Sequence, residues 1–130
     1  MILVTGAGGK TGQAIMRALA VRGEAVRAFT SRTQKAWLRP LTKEFYFGDL
    51  RDEAALREAA KGAQALYHIC PNMHPEELTI GRNAIAAAKA AGIAQFVYHS
   101  VLHPQTEKMP HHWNKLRVEG MLFESGLPFT

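Results

Sequence analysis

A single cysteine, Cys70, in 130 residues excludes an internal disulfide and suits a reducing compartment. No apolar run approaches the roughly 20 residues of a membrane span. The opening stretch Met1-Ile2-Leu3-Val4 is short, has no positively charged lead and runs straight into glycines, unlike a secretory leader. There is no repeat of fixed period, no low-complexity tract and no linker, so residues 1–130 are expected to form one domain, soluble and cytoplasmic. A domain of this length buries roughly two-thirds of its unfolded surface. Lys and Arg number 16 against 11 acidic residues, a net charge of +5. They are scattered with acids between them, which argues against nucleic acid and for a surface suited to small anions. The six histidines make no metal site: His99 and His103 straddle a strand end and a proline loop, and no Cys–His or Asp–His pattern completes a ligand set.

What the chain does have is concentrated in its first dozen residues. A β-prone run ends in Thr5-Gly6-Ala7-Gly8-Gly9-Lys10-Thr11-Gly12, and an amphipathic segment follows. A helix N-terminus there leaves N–H groups unpaired and carries about half a positive charge, which suits a phosphate. The triphosphate-binding pattern would align its end on Gly9-Lys10-Thr11 but needs glycine where Val4 stands; G-x-G-x-x-G would need glycine at Thr11. The triplet Gly6-x-x-Gly9-x-x-Gly12 fits, and predicts a seat for a diphosphate.

Further along, periodicity predicts a first helix from Gly12 to about Val21 with Ile15, Ala18 and Leu19 inward and Gly23 as its stop. Strands follow at Ala25 to Thr30, Glu44 to Phe47, Ala65 to Cys70 and Gln95 to Ser100. Helices run from Asp52, as cap, to about Lys61, from Glu76 to Ala91, and from His112 to Ser125; Gly126 to Thr130 enters another strand. Gly81, Ala84, Ile85, Ala88 and Ala91 form a small-residue stripe that allows close packing. Alternation of strand and helix means an α/β fold, a Rossmann-type doubly wound parallel sheet of order 3-2-1-4-5.

In such sheets ligands lie beyond the carboxyl ends of the strands. After the second strand an acid would hold a ribose 2′-hydroxyl, yet the sequence there is Thr30-Ser31-Arg32 with Lys35 nearby. Arg32 can pair with a 2′-phosphate that a carboxylate would repel, so NADP is favoured over NAD. Asp49 and Leu50, ending the third strand, are placed to meet an adenine. Cys70 and Pro71 close the fourth near the diphosphate and nicotinamide ribose.

Taken together these residues resemble the short-chain dehydrogenase/reductase superfamily, and within it the atypical NmrA-like branch. The resemblance covers essentially the whole chain: Thr5-Gly6…Gly9…Gly12, Arg32, Gly48-Asp49-Leu50, Phe96-Val97-Tyr98-His99-Ser100 and Lys115…Glu119…Ser125-Gly126-Leu127-Pro128. It implies an NAD(P)-binding fold whose members are NAD(P)H-dependent quinone or azo reductases, isoflavone-type reductases or non-catalytic redox sensors. It places the cofactor on Gly6, Gly8, Gly9, Lys10, Thr11, Gly12, Ser31, Arg32, Asp49, Leu50, Cys70, Pro71 and Lys115. The superfamily's catalytic set is a serine followed by Tyr-x-x-x-Lys. Ser100 and Lys115 occupy the serine-like and lysine-like places, but His111 stands where tyrosine is usual. His111 or His112 could donate a proton near neutral pH, beside the plainer reading of a loop-exposed histidine pair with no chemical task. Quinone reduction asks mainly for a well-placed hydride, so the missing phenol leaves it open. Members of the branch continue past the position of Thr130 with further strands and a substrate lobe. The fifth strand is therefore expected at an open edge, Gln95 to His99, paired by a second copy or covered by the last helix and tail. An NADPH-dependent reductase and a non-catalytic dinucleotide sensor both remain open.

Overall fold

The computed structural model describes residues 1–31, 36–42 and 44–130. Five strands, β1 (Ile2–Val4), β2 (Val26–Thr30), β3 (Glu44–Phe47), β4 (Ala65–His68) and β5 (Gln95–Tyr98), form one sheet in the order β3-β2-β1-β4-β5. Every pairing is parallel, with Ile2 opposite Val26 and Ala65, Arg27 opposite Glu44, and Leu66 opposite Phe96. The helices are α1 (Lys10–Val21), α2 (Glu53–Ala60), α3 (Glu77–Ala91) and α4 (Pro110–Ser125), with a 3-10 turn at Ala36–Leu38.

Strand side chains alternate between two cores, as the period of two requires. Leu3, Phe29, Leu66 and Phe96 pack with Leu56, Ile80, Ala84, Val118 and Leu122 of α2, α3 and α4. Val4, Ala28 and Ile69 pack on the other face with Met16 of α1 and Leu38. The sheet is therefore doubly wound. Of the stripe on α3, Gly81, Ala84, Ile85 and Ala88 are buried and Ala91 is half-buried, and a Cβ on Gly81 would meet Val118 Cγ2 of α4 at 2.7 Å. Asp52 caps α2 by accepting from Ala55 N at 3.1 Å, and Gly92 and Gly126 end α3 and α4 in the left-handed region.

The structure differs from the sequence reading at several element ends; α4 begins at Pro110 rather than His112, which puts His111 and His112 in its first turn. Helix α1 starts at Lys10, with Gly9 as its cap, so Lys10, Thr11 and Gly12 form the first turn. Its inward row is Gly12, Ile15, Met16 and Leu19, spaced at three and four; Ala18 lies off that row and is exposed. Strands β4 and β5 also end two residues early. Ile69 N turns to Thr5 Oγ1 at 2.9 Å, and Ser100 N turns back to Tyr98 O at 3.1 Å.

The tail covers the β5 edge. Phe96 N donates to Pro128 O (2.8 Å), Thr130 N to Phe96 O (2.9 Å) and Tyr98 N to Thr130 O (2.8 Å), so residues 128–130 run parallel to β5 like a sixth strand. Of the two ways of satisfying that edge, this is the one the fold uses. Among the described residues no helix is long and apolar enough to cross a membrane.

Candidate functional site

The β1–α1 turn is shaped by atoms that glycine lacks. Gly6 sits at φ +62°, where a Cβ would also lie 2.7 Å from Ile69 O; Gly9 N closes the turn on Gly6 O at 3.0 Å. A Cβ on Gly12 would run into Gly6 O and come within 2.7 Å of Ala7 Cα, and one on Gly8 within 2.8 Å of Thr30 Oγ1. The first bond of α1 is Gln13 N to Gly9 O, 2.9 Å, and no side chain caps the helix. The amides of Lys10, Thr11 and Gly12 thus have no acceptor within the helix and open outwards.

They open into a cleft of about 830 Å³ along the carboxyl ends of the strands. Gly6, Gly8, Gly9, Lys10, Thr11 and Gly12 form one wall. Ser31, Asp49 and Leu50 lie towards β2 and β3, and Cys70, Pro71, Ser100 and Lys115 towards β4 and β5. Arg32 and Lys35 lie outside the described residues. Asp49 accepts from Arg51 N (2.8 Å) and Arg51 Nε (3.0 Å), which holds its carboxyl down at about 2; Arg51 also reaches Glu76 at 3.1 Å. His111 does not line the cleft; it packs edge-on against His112, 4.5 Å between ring centres, while His112 Nδ1 donates to His103 O at 3.1 Å. Ser100 lines the cleft but turns its hydroxyl to Glu119 Oε1 on α4.

A fold of this topology with a glycine-lined, uncapped helix start at its switch point narrows the family greatly. The pattern of the NmrA-like family matches residues 1–130 throughout. The chain belongs to the NmrA-like family. Quinone oxidoreductase 2 of Escherichia coli is 32% identical over 133 residues, covering 100% of this chain and 46% of that protein. The crystal structure of the NADPH-dependent quinone oxidoreductase from Escherichia coli, complexed with NADPH, superposes with a TM-score of 0.86 at 30% identity, over 99% of this chain and 47% of that one. Sterol demethylase protein B of Methylococcus capsulatus is 49% identical over 67 residues, 51% of this chain and 20% of that protein. This NmrA-like chain therefore spans less than half the length of these relatives.

Beneath the cleft of the NmrA-like chain lies a buried polar row that joins Lys115, which the sequence reading named, to His68, Tyr98 and Glu77, to which it gave no role. Thr5 Oγ1 meets His68 Nδ1 at 2.9 Å, and His68 stacks on Tyr98, its partner across β4 and β5, at 5.9 Å between ring centres. Tyr98 Oη donates to Glu77 Oε1 (2.7 Å), and Lys115 Nζ donates to the same oxygen (2.8 Å) and lies 3.4 Å from His99 O. Burial and the nearby Glu77 carboxylate push the Cys70 thiol well above the ordinary thiol range. The search for Tyr-x-x-x-Lys could not find Tyr98, which reaches the lysine through space. The available signal was Glu77 at the head of the apolar stripe Ile80, Gly81, Ala84.

His68 Nε2 is buried without a hydrogen-bond partner among the described residues, and burial, with Lys115 nearby, drives the imidazole pKa down to about 3. The unfolded chain takes up a proton near the ordinary 6.5 that the folded chain refuses, so stability falls as pH drops from about 6.5 towards 3. Urea midpoints measured across that window are expected to decline more steeply for the unmodified chain than for His68→Phe. Equal slopes would remove His68 as the cause.

Proposed function

We propose that this NmrA-like chain binds NADPH in preference to NADH and belongs to a reductase that passes hydride to a quinone-like acceptor. The carrying observation is the uncapped first turn of α1, which lines the cleft with Lys10, Thr11 and Gly12 after a turn so tight that a Cβ on Gly6, Gly8 or Gly12 would strike neighbouring atoms. In this reading Lys10, Thr11 and Gly12 hold the diphosphate, Leu50 packs on the adenine, and Arg32 takes the 2′-phosphate. Pro71 and Lys115 stand at the nicotinamide end. NADPH supplies the hydride; the chain orients the ring and excludes water. The relatives named as quinone oxidoreductases favour this acceptor class.

A second reading is favoured by a separate observation: Ser100 is turned to Glu119 and His111 is outside the cleft, which leaves the usual proton-donating positions idle. A dinucleotide sensor needs neither. Calorimetric titration with NADPH, NADH and their oxidised forms tests the binding, and NADPH consumption with a panel of quinones separates the readings. Arg32→Ala is expected to weaken NADPH by about tenfold or more and NADH little. Equal loss for both would remove the phosphate assignment.

A further inference from the structure

We propose that Glu77 is a positioning residue for the nicotinamide half of the dinucleotide, acting through Lys115; the inference rests on the dinucleotide reading above. Glu77 opens α3, whereas Tyr98 belongs to β5 and Lys115 to α4, and one oxygen, Oε1, receives hydrogen bonds from both at 2.7 and 2.8 Å. The side chains of Glu77 and Lys115 are 2% and 9% exposed, so the pair is held in the protein rather than in water. An ammonium has three donors. Glu77 Oε1 and His99 O face two of them, and the third is left for the cleft that Lys115 lines.

A lysine side chain has four rotatable torsions, and a free one would sweep a wide arc. Fixed to a carboxylate that is itself tied to the Tyr98 hydroxyl, Lys115 keeps its ammonium at the end of β5, on the β4–β5 side of the cleft. Among the described residues the hydrogen bonds of the Glu77 carboxylate run to Tyr98 of β5 and Lys115 of α4, and none runs to the glycine turn or to Asp49 and Leu50, so the adenosine half is expected to feel its loss little. An acid in the first turn also suits the helix dipole, which is a purely structural role. The two roles differ in what they do to the two halves of the cofactor.

The test is titration of the 130-residue chain with NADPH and with 2′,5′-ADP, which carries only the adenosine end. Glu77→Gln is expected to weaken NADPH by about tenfold while 2′,5′-ADP stays within about twofold. On a Lys115→Met background Glu77→Gln should then change NADPH binding no further, because the group it positions is gone. That comparison, Lys115→Met against the double variant, serves even if Glu77→Gln alone does not fold. Equal loss for both probes, or a further loss of NADPH on the Lys115→Met background, would overturn the role. Failure of the unmodified chain to bind either probe would overturn the dinucleotide reading itself. Normal wild-type binding with NADPH unmoved by Glu77→Gln would overturn this inference alone.

Discussion

Gly12→Ala is expected to abolish NADPH binding and to lower stability by about 3 kcal/mol, although alanine is the better helix former by about 1 kcal/mol. The new methyl would run into Gly6 O and lie 2.7 Å from Ala7 Cα, both of them backbone atoms. A flexible side chain can move aside from such a contact; a turn pinned by Gly9 N on Gly6 O and by Ala7 N on Phe29 O cannot without shifting α1 off β1. The amides of Lys10, Thr11 and Gly12 would move with it. Gly120→Ala is the matched control. Gly120 lies within α4 and a Cβ there would meet nothing within 4 Å, so alanine should stabilise by about 0.5–1 kcal/mol. Urea unfolding and NADPH titration of both variants check the pair. Should both glycines respond alike, propensity rather than close approach governs the turn.

The second large effect is Glu77→Ala. Removing the carboxylate leaves the Lys115 ammonium, 9% exposed, without its anion and leaves the Tyr98 hydroxyl without its acceptor. Breaking a buried pair from one side costs about 3–5 kcal/mol, a large share of the roughly 5–15 kcal/mol that holds a domain together. Adding Lys115→Met should return most of that loss, because a buried pair replaced by apolar groups is often neutral. Urea midpoints of the single and double variants read both numbers. A loss under about 1 kcal/mol in Glu77→Ala would mean that the ammonium escapes to water through the cleft.

The order of the sheet was legible because four of the five strands, all but β2, are followed by a helix pattern with its own stop: Gly23, Gly62, Gly92 and Gly126 all sit at positive φ past helix ends or turns. The glycine turn was legible for the same local reason, since the spacing of Gly6, Gly9 and Gly12 is a property of one turn. What escaped was non-local. Glu77 looks like an ordinary acid in a helix's first turn, Tyr98 like a strand aromatic, and His68 like one histidine among six. Only the fold puts them on one face of neighbouring elements. The pairing of residues 128–130 with β5 was foreseen as one of two outcomes, because backbone hydrogen bonding does not depend on which side chains lie at the edge.

The closeness of α3 and α4 has a consequence for the polar cluster above it. Gly81 lies four residues after Glu77, and Val118 three after Lys115, so each pair shares a helix face one turn apart. The valine methyl occupies the space that a side chain at position 81 would take, with its Cγ2 2.7 Å from where a Cβ would be. The reach of Lys115 to Glu77 is therefore gauged by a missing carbon a turn below: any larger residue at position 81 would act as a shim, tilting α4 outward and drawing the ammonium off its carboxylate without altering either charged group.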